Sequence, residues 1–167
     1  GAGAIFKSFA ELPGLKHAEL NMAKNKVGPD FGKTVAETTP RLAHLHVLKL
    51  DLNATGVRGP ALQPIFEALG ALTGLKRLEM RLNAVEVSDD LLGVLAKSME
   101  RMACLEGTSM WFWFNPLSVK GASELARTLL ALPKFKNVRI IFCKTEVPEA
   151  LQKVENMGKL AELAKAQ

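Results

Sequence analysis

The side chains that could do chemistry in this sequence are few, and their spacing is poor for it. The histidines are His17, His44 and His46, and no cysteine or carboxylate stands beside them at the spacing of a metal site. Cys104 and Cys143 fall at two different places of a repeat described below, where thiols pack as structural residues. We therefore expect no metal centre and no cysteine nucleophile.

Two further motifs have simple structural explanations. Asp89 and Asp90 are adjacent carboxylates at the predicted start of a helix, where they would cap its first turn. The glycines of Gly1-Ala2-Gly3 have no strand ahead of them and no lysine at the distance of a phosphate-binding loop. The sequence therefore predicts no catalytic residue and no cofactor, and the protein is not expected to be an enzyme.

The composition favours a globular unit with a real core. Of 167 residues, 48% are hydrophobic and 23% are charged, which excludes a disordered chain. No apolar run approaches the roughly 20 residues of a membrane-spanning helix. The net charge of +5 is spread along the chain without a block of like charges. The outward strand positions are mixed in sign, so nucleic-acid binding is not expected.

The elements that must position any functional residue repeat every 30 residues. Alternation at spacing two marks a short strand in each copy, whereas spacings of four and three mark one stripe of a helix. Two strand columns are Leu15, Leu45, Leu75, Leu105 and Phe135, then Leu20, Leu50, Met80, Met110 and Ile140. One helix column is Ile5, Val35, Ile65, Leu95 and Leu125. Each unit is therefore strand, turn, helix and turn.

This pattern resembles the leucine-rich repeat family, in its longer class that is similar to ribonuclease inhibitor. The segments from Leu45 to Asn53 and from Leu75 to Asn83 match the L-x-x-L-x-L-x-x-N core of that family. The first and fourth copies depart from it, with Ala23 and Trp113 at the place of the Asn or Cys. The resemblance implies an α/β fold: a curved leucine-rich repeat solenoid with parallel strands on the concave face and helices on the convex face.

The repeat divides the chain as a single solenoid over 1–167. Residues 1–14 form the helix of a truncated repeat, full repeats follow at 15–44, 45–74, 75–104 and 105–134, and 135–167 hold the last strand and a C-terminal helix. This count predicts five strands and six helices, with one closing helix between Pro148 and Gln167. Because the chain opens inside a unit, we expect it to be part of a larger chain or assembly.

A candidate binding surface follows from the outward positions of the strands. The fourth copy places two indoles outward, at Trp111 and Trp113, with Arg81 and Ile141 beside Trp111 on the neighbouring strands. The partner-binding residues predicted on this surface are Arg81, Trp111, Trp113, Ile141, Arg139, Asp51 and Asn83. An alternative is that a segment of the same protein folds over the sheet and buries both tryptophans.

The function expected from the sequence is a non-catalytic scaffold that binds another protein through its concave sheet. One alternative is a structural subunit of a large multiprotein assembly. Another is a regulator of a small GTPase, since the repeats are similar to those of Ran GTPase-activating proteins. Unpaired cysteines and the lack of a signal peptide favour an intracellular location, cytoplasmic or organellar.

Overall fold

Strands and helices alternate along the chain in a computed structural model that describes residues 1–28 and 30–167. The strands are β1 (His17–Asn21), β2 (Val47–Asp51), β3 (Arg77–Arg81), β4 (Gly107–Trp111), β5 (Asn137–Ile141) and the short β6 (Lys153–Val154). The α-helices are α1 (Ala2–Phe9), α2 (Phe31–Thr38), α3 (Gln63–Leu69), α4 (Asp89–Met99), α5 (Val119–Ala131) and α6 (Met157–Lys165). Short 3₁₀ helices lie at Thr39–Leu42, Gly59–Leu62 and Glu149–Leu151.

The strands form one sheet in the order of the chain, from β1 to β6. The first five strands are parallel, and facing residues are 30 positions apart, as in Leu20 with Leu50 and Met80 with Met110. Only β6 is antiparallel, with Lys153 beside Ile141. The period read from the sequence is thus also the register of the sheet, and the expected α/β class is confirmed.

The core lies between one face of the sheet and a layer of helices. Alternate strand residues such as Leu50 and Met80 are buried, and so are Ile65 and Leu95 from the helix stripe. Each helix packs against the helices before and after it in the chain. The other face of the sheet stays exposed at alternate positions, which makes it available for a site. No helix in the described ranges has the length and apolar character needed to cross a membrane.

A turn in left-handed backbone conformation follows each of the five parallel strands. The residues are again 30 apart and have φ between 53° and 60°: Lys24, Ala54, Ala84, Phe114 and Lys144. Backbone pairing continues into this turn, because the amides of residues 24, 84 and 114 donate to carbonyls of the next unit. The turn is therefore a repeated element, and it sets the direction of the side chains that follow each strand.

The C-terminal region differs from the expected single helix. After Pro148 the chain forms a 3₁₀ turn and β6, and α6 begins only after Asn156, whose Oδ1 accepts from the amide of Lys159 at 2.9 Å. The reason is a sheet bond: the carbonyl of Gln152 accepts from the amide of Phe142 at 2.7 Å and brings the chain back to β5. The described residues hence contain six strands rather than five, with the expected six α-helices.

Candidate functional site

The candidate site lies on the exposed face of the sheet, where the third, fifth and seventh residues of each unit project. On β3 to β5 this face carries Arg77, Glu79 and Arg81, then Gly107, Ser109 and Trp111, then Asn137, Arg139 and Ile141. Neighbouring strands are about 4.8 Å apart, so side chains in one column touch across strands. Charged, aromatic and small residues therefore meet at the middle of the sheet.

Five charged side chains on the first three strands form ion pairs with one another. Lys49 Nζ lies 3.2 Å from a carboxylate oxygen of Glu19. The guanidinium of Arg81 lies 3.9 Å from Asp51 and 3.7 Å from Glu79. Such half-exposed ion pairs contribute little to stability, at most about 1 kcal/mol each. Their main effect is to hold Arg81 against the neighbouring strands.

Trp111 lies between two guanidinium groups. Arg81 Cζ is 5.2 Å from the centroid of the indole, and Arg139 Cζ is 5.9 Å from it. Cations at this distance from an indole are attracted to its face, by about 0.5–1 kcal/mol at exposed sites. Arg139 is also held by Glu155, at 3.6 Å. The expected contact between Arg81 and Trp111 is thus present, and Arg139 makes a second one.

Two aromatic side chains project into solvent where the chain leaves β4. Trp113 is 40% exposed and Phe114 is 60% exposed, with their ring centroids 6.4 Å apart. Phe112, between the two indoles in sequence, points inward and stacks on Phe142 at 5.6 Å. Within the described ranges no segment covers the exposed pair. A groove beside Trp113 is lined by Cys143, Ala150 and neighbouring residues.

Asn115 anchors this aromatic turn from below. Its side chain is buried, with 4% exposed, and its Oδ1 accepts from the amides of Val85 at 3.2 Å and Val87 at 2.9 Å. Its Nδ2 donates to the carbonyls of Leu82 at 2.7 Å and Trp113 at 3.3 Å. One side chain therefore joins two consecutive units directly below Trp113.

The predicted surface residues Asp51 and Asn83 serve the turns. Asp51 Oδ1 accepts from the amide of Asn53 at 3.0 Å, and Asn83 Oδ1 accepts from the amide of Trp113 at 2.9 Å. Both side chains are half-buried. Asp51 therefore stabilises the turn after β2, and Asn83 stabilises the turn at Trp113. Both side chains are less exposed than their outward positions on the strands predict.

Ile141 corrects the expected surface. The sequence places it outward beside Trp111, and it does face Trp111 in the sheet register, but it is only 5% exposed. The reason is that the chain returns after β5 and β6 lies against this residue. The exposed patch is therefore formed by Arg81, Trp111, Trp113 and Arg139 without Ile141.

Phe114 and the floor of the sheet were missed by sequence reasoning. The strand pattern places Trp113 outward and Phe114 inward, but β4 ends at Trp111 and the left-handed turn exposes both. Alternation holds only within a strand, so it does not predict side chains in a turn. The sequence does contain a signal for a local depression in the sheet surface. Gly107 and Ser109 are small, whereas the residues that face them on the adjacent strands are large.

Of the residues considered for chemistry, Cys143 lies next to this patch, since it lines the groove beside Trp113. In the described parts of the chain no three His, Cys, Asp or Glu side chains are grouped to hold a metal ion. Burial, followed by the charges of Lys76 and Lys16, lowers the pKa of His46, which favours its neutral form. Cys104 and Cys143 are half-buried free thiols.

The acidic pair lies in the first turn of its helix as expected, but neither carboxylate is the N-cap. Ser88 is the N-cap of α4 and accepts from the amide of Leu91 at 3.3 Å. Asp89 instead reaches the next unit, where it accepts from the amide of Ser118 at 2.9 Å and from its hydroxyl at 2.5 Å. This carboxylate therefore joins two helix starts, a structural role.

Comparison of the chain with known proteins gives no match to a family model and none to a curated protein.

Proposed function

We propose that this chain is a leucine-rich-repeat-like solenoid that binds another protein through the exposed face of its sheet, without catalysis. The repeated unit supports the fold: partners across each parallel junction are 30 residues apart, and the same left-handed turn follows each of these strands. Stacked units of this kind present a large preformed surface, so little ordering entropy is lost on binding.

The observation that carries the proposal is the exposed pair of Trp113 and Phe114. Large aromatic side chains in solvent are a cost unless something covers them, and they are the residues that dominate binding interfaces. Phe114 also stands in left-handed backbone, a conformation that costs a residue with a Cβ about 1–2 kcal/mol. The equivalent residues are Lys24, Ala54, Ala84 and Lys144, so the turn itself does not require an aromatic ring.

Contacts with neighbouring groups hold the region around Trp113 and Phe114 in place. Trp111 is held between two guanidinium groups, and the turn below is held by Asn115. Rigid aromatic anchors bind more tightly because less side-chain entropy is lost. The patch therefore combines apolar area, rigidity and adjacent charge.

Site-specific photo-crosslinking tests the proposal. A photoreactive phenylalanine analogue at position 113 should capture a defined protein from the native source, whereas the same analogue at position 130 should not. Leu130 is the matched control because it is 39% exposed but lies on α5. With that partner purified, Trp113→Ala should weaken its affinity at least about tenfold, as expected for a hot-spot aromatic residue. Equal capture at the two positions, or equal affinity of Trp113→Ala and Leu130→Ala, would contradict it.

A further inference from the structure

We propose that the partner binds this face through an acidic segment, which lies in a groove along β4. The groove is beside the exposed patch of Arg81, Trp111, Trp113 and Arg139. The inference rests on the proposed function and names the chemistry of the partner. The groove has a volume of about 460 Å³ and is lined by residues from three strands and the start of α6.

The groove exists because β4 carries small residues where its neighbours carry large ones. In the third column Gly107 faces Arg77 on one side and Asn137 on the other. In the fifth column Ser109 lies between Glu79 and Arg139. The floor is thus low at Ser109, between higher walls on the two neighbouring strands.

The floor is also fixed by close packing. A Cβ placed on Gly107 would lie 3.0 Å from both the Cβ and the carbonyl oxygen of Asn137, tighter than ordinary contact. Glycine therefore allows β4 and β5 to approach closely at this point.

The charge of the groove is mainly positive. Arg77, Lys136 and Arg139 line it, against the single carboxylate of Glu155. Arg139 is 3.6 Å from Glu155, and Lys136 is 3.0 Å from Glu106, whose pKa is lowered first by the hydrogen bond from Lys136 and then by its charge. Arg77 is exposed and forms no ion pair with any residue in the described ranges, so its charge is available to a partner.

The dimensions suit an extended peptide. From residue 107 to residue 111 β4 rises about 13 Å at roughly 3.3 Å per residue, and the strands on either side of it stand about 10 Å apart, two strand spacings. A segment lying along β4 would bring its carboxylates to Arg77 and Arg139 and an apolar side chain to Trp113 and Phe114. Guanidinium groups pair well with carboxylates through two parallel hydrogen bonds.

Single-stranded nucleic acid fits this surface less well. Trp113 and Phe114 offer exposed rings on which bases stack, so the pattern of charge has to separate the two kinds of ligand. A phosphate backbone also needs a continuous run of cations, and Glu155 and Glu106 interrupt this one. An acidic protein segment, with few and localised charges, matches better.

Fluorescence anisotropy with labelled synthetic peptides tests the inference. The probe has about nine residues, with three glutamates at one end and Leu-Phe-Leu at the other; a second peptide carries glutamine in place of glutamate, and a third probe is single-stranded oligouridine. We expect the glutamate peptide to bind at least about tenfold more tightly than the glutamine peptide, since a charge-assisted pair is worth about that factor. High salt should reduce the difference.

Two variants locate the binding. Arg77→Gln should weaken the glutamate peptide about tenfold, and Ser109→Leu, which fills the floor, should weaken both peptides. Lys49→Gln is the matched control, because Lys49 is a cation on the same face outside the groove. Equal losses in Arg77→Gln and Lys49→Gln, equal affinity for the two peptides, no binding of either up to about 1 mM, or tighter binding of oligouridine would overturn the inference.

The crosslinking experiment separates this inference from the proposed function. Partner capture at position 113 that is unchanged by Arg77→Gln and Ser109→Leu would leave the proposed function standing and remove the acidic segment. Failure of capture at position 113 relative to position 130 would remove the proposed function itself.

Discussion

Replacing Asn115 by alanine should destabilise the protein far more than the same replacement of Asn25, the asparagine at the equivalent place of the first unit. Asn115 accepts from two buried amides, those of Val85 and Val87, and donates to the carbonyl of Leu82. Alanine at this position leaves both amides without an acceptor in a region where Val85, Val87 and Leu82 are all buried.

The magnitude follows from those lost bonds. A buried polar group left without a partner costs about 1–3 kcal/mol, so two amides and one carbonyl give a loss of at least about 3 kcal/mol in the free energy of unfolding. For a chain of this length, 1 kcal/mol corresponds to about 2–4 °C in Tm, so Tm should fall by at least about 6 °C.

Asn25 is the matched control, since it occupies the same place in the first unit. It is exposed, and its amide donates to the carbonyls of Met22 and Ala23 within its own turn, at 3.3 and 3.1 Å. Water can replace those bonds, so Asn25→Ala should cost less than about 1 kcal/mol. Asn115→Asp keeps an acceptor for the two amides and should fall between the two alanine variants.

Urea unfolding followed by circular dichroism and by tryptophan fluorescence measures the three variants together. Fluorescence adds a local readout, because Trp113 stands directly above Asn115 and donates its own amide to Asn83. If Asn115→Ala loses no more stability than Asn25→Ala, the interpretation of Asn115 as the bond between two units is wrong.

The remaining predictions concern backbone, packing and pH. Phe114→Gly should leave the thermal unfolding temperature unchanged or raise it, since glycine accepts a φ of 58° and little buried area is lost; a marked fall would contradict this. Gly121→Ala should lose about 1–3 kcal/mol in urea unfolding because its Cβ would lie 3.0 Å from the Cα of Asp89, whereas Gly93→Ala, with no contact under 3.6 Å, should gain up to about 1 kcal/mol. Since burial and nearby lysines lower the pKa of His46, its contribution to stability is complete above its unfolded pKa of about 6.5 and is lost as pH falls through the lower folded value. His46→Gln should therefore show a smaller loss of stability than the wild type on acidification below about 6.5, and an identical pH profile would refute it.

The repeat made much of the fold predictable. Apolar side chains recur every 30 residues with nothing inserted, and the same spacing appears in the pairing of Leu20 with Leu50 and of Met80 with Met110. Patterns of period two and of 3.6 are local, because they follow from which face of a strand or helix must be buried. The α/β class and the order of the parallel strands follow from the same local pattern.

The C-terminal region was less predictable because its structure depends on a distant strand. Between Pro148 and Gln167 the composition suits a helix, yet the bond from the amide of Phe142 to the carbonyl of Gln152 brings part of it to the sheet. That return also buries Ile141, which alternation alone places outward. A sequence pattern does not contain the contact that decides this competition.

The candidate site divides in the same way. The sequence by itself determined that two indoles occur on the fourth strand unit, with Arg81 and Arg139 in the adjacent units, because column and register follow from the period. Only the tertiary structure decided that Trp111 contacts both guanidinium groups, that Phe114 is exposed, and that Ser109 lies on the floor of a groove. The physical reason is that periodicity specifies which face a residue occupies, whereas exposure depends on what the neighbouring units and the returning chain leave uncovered.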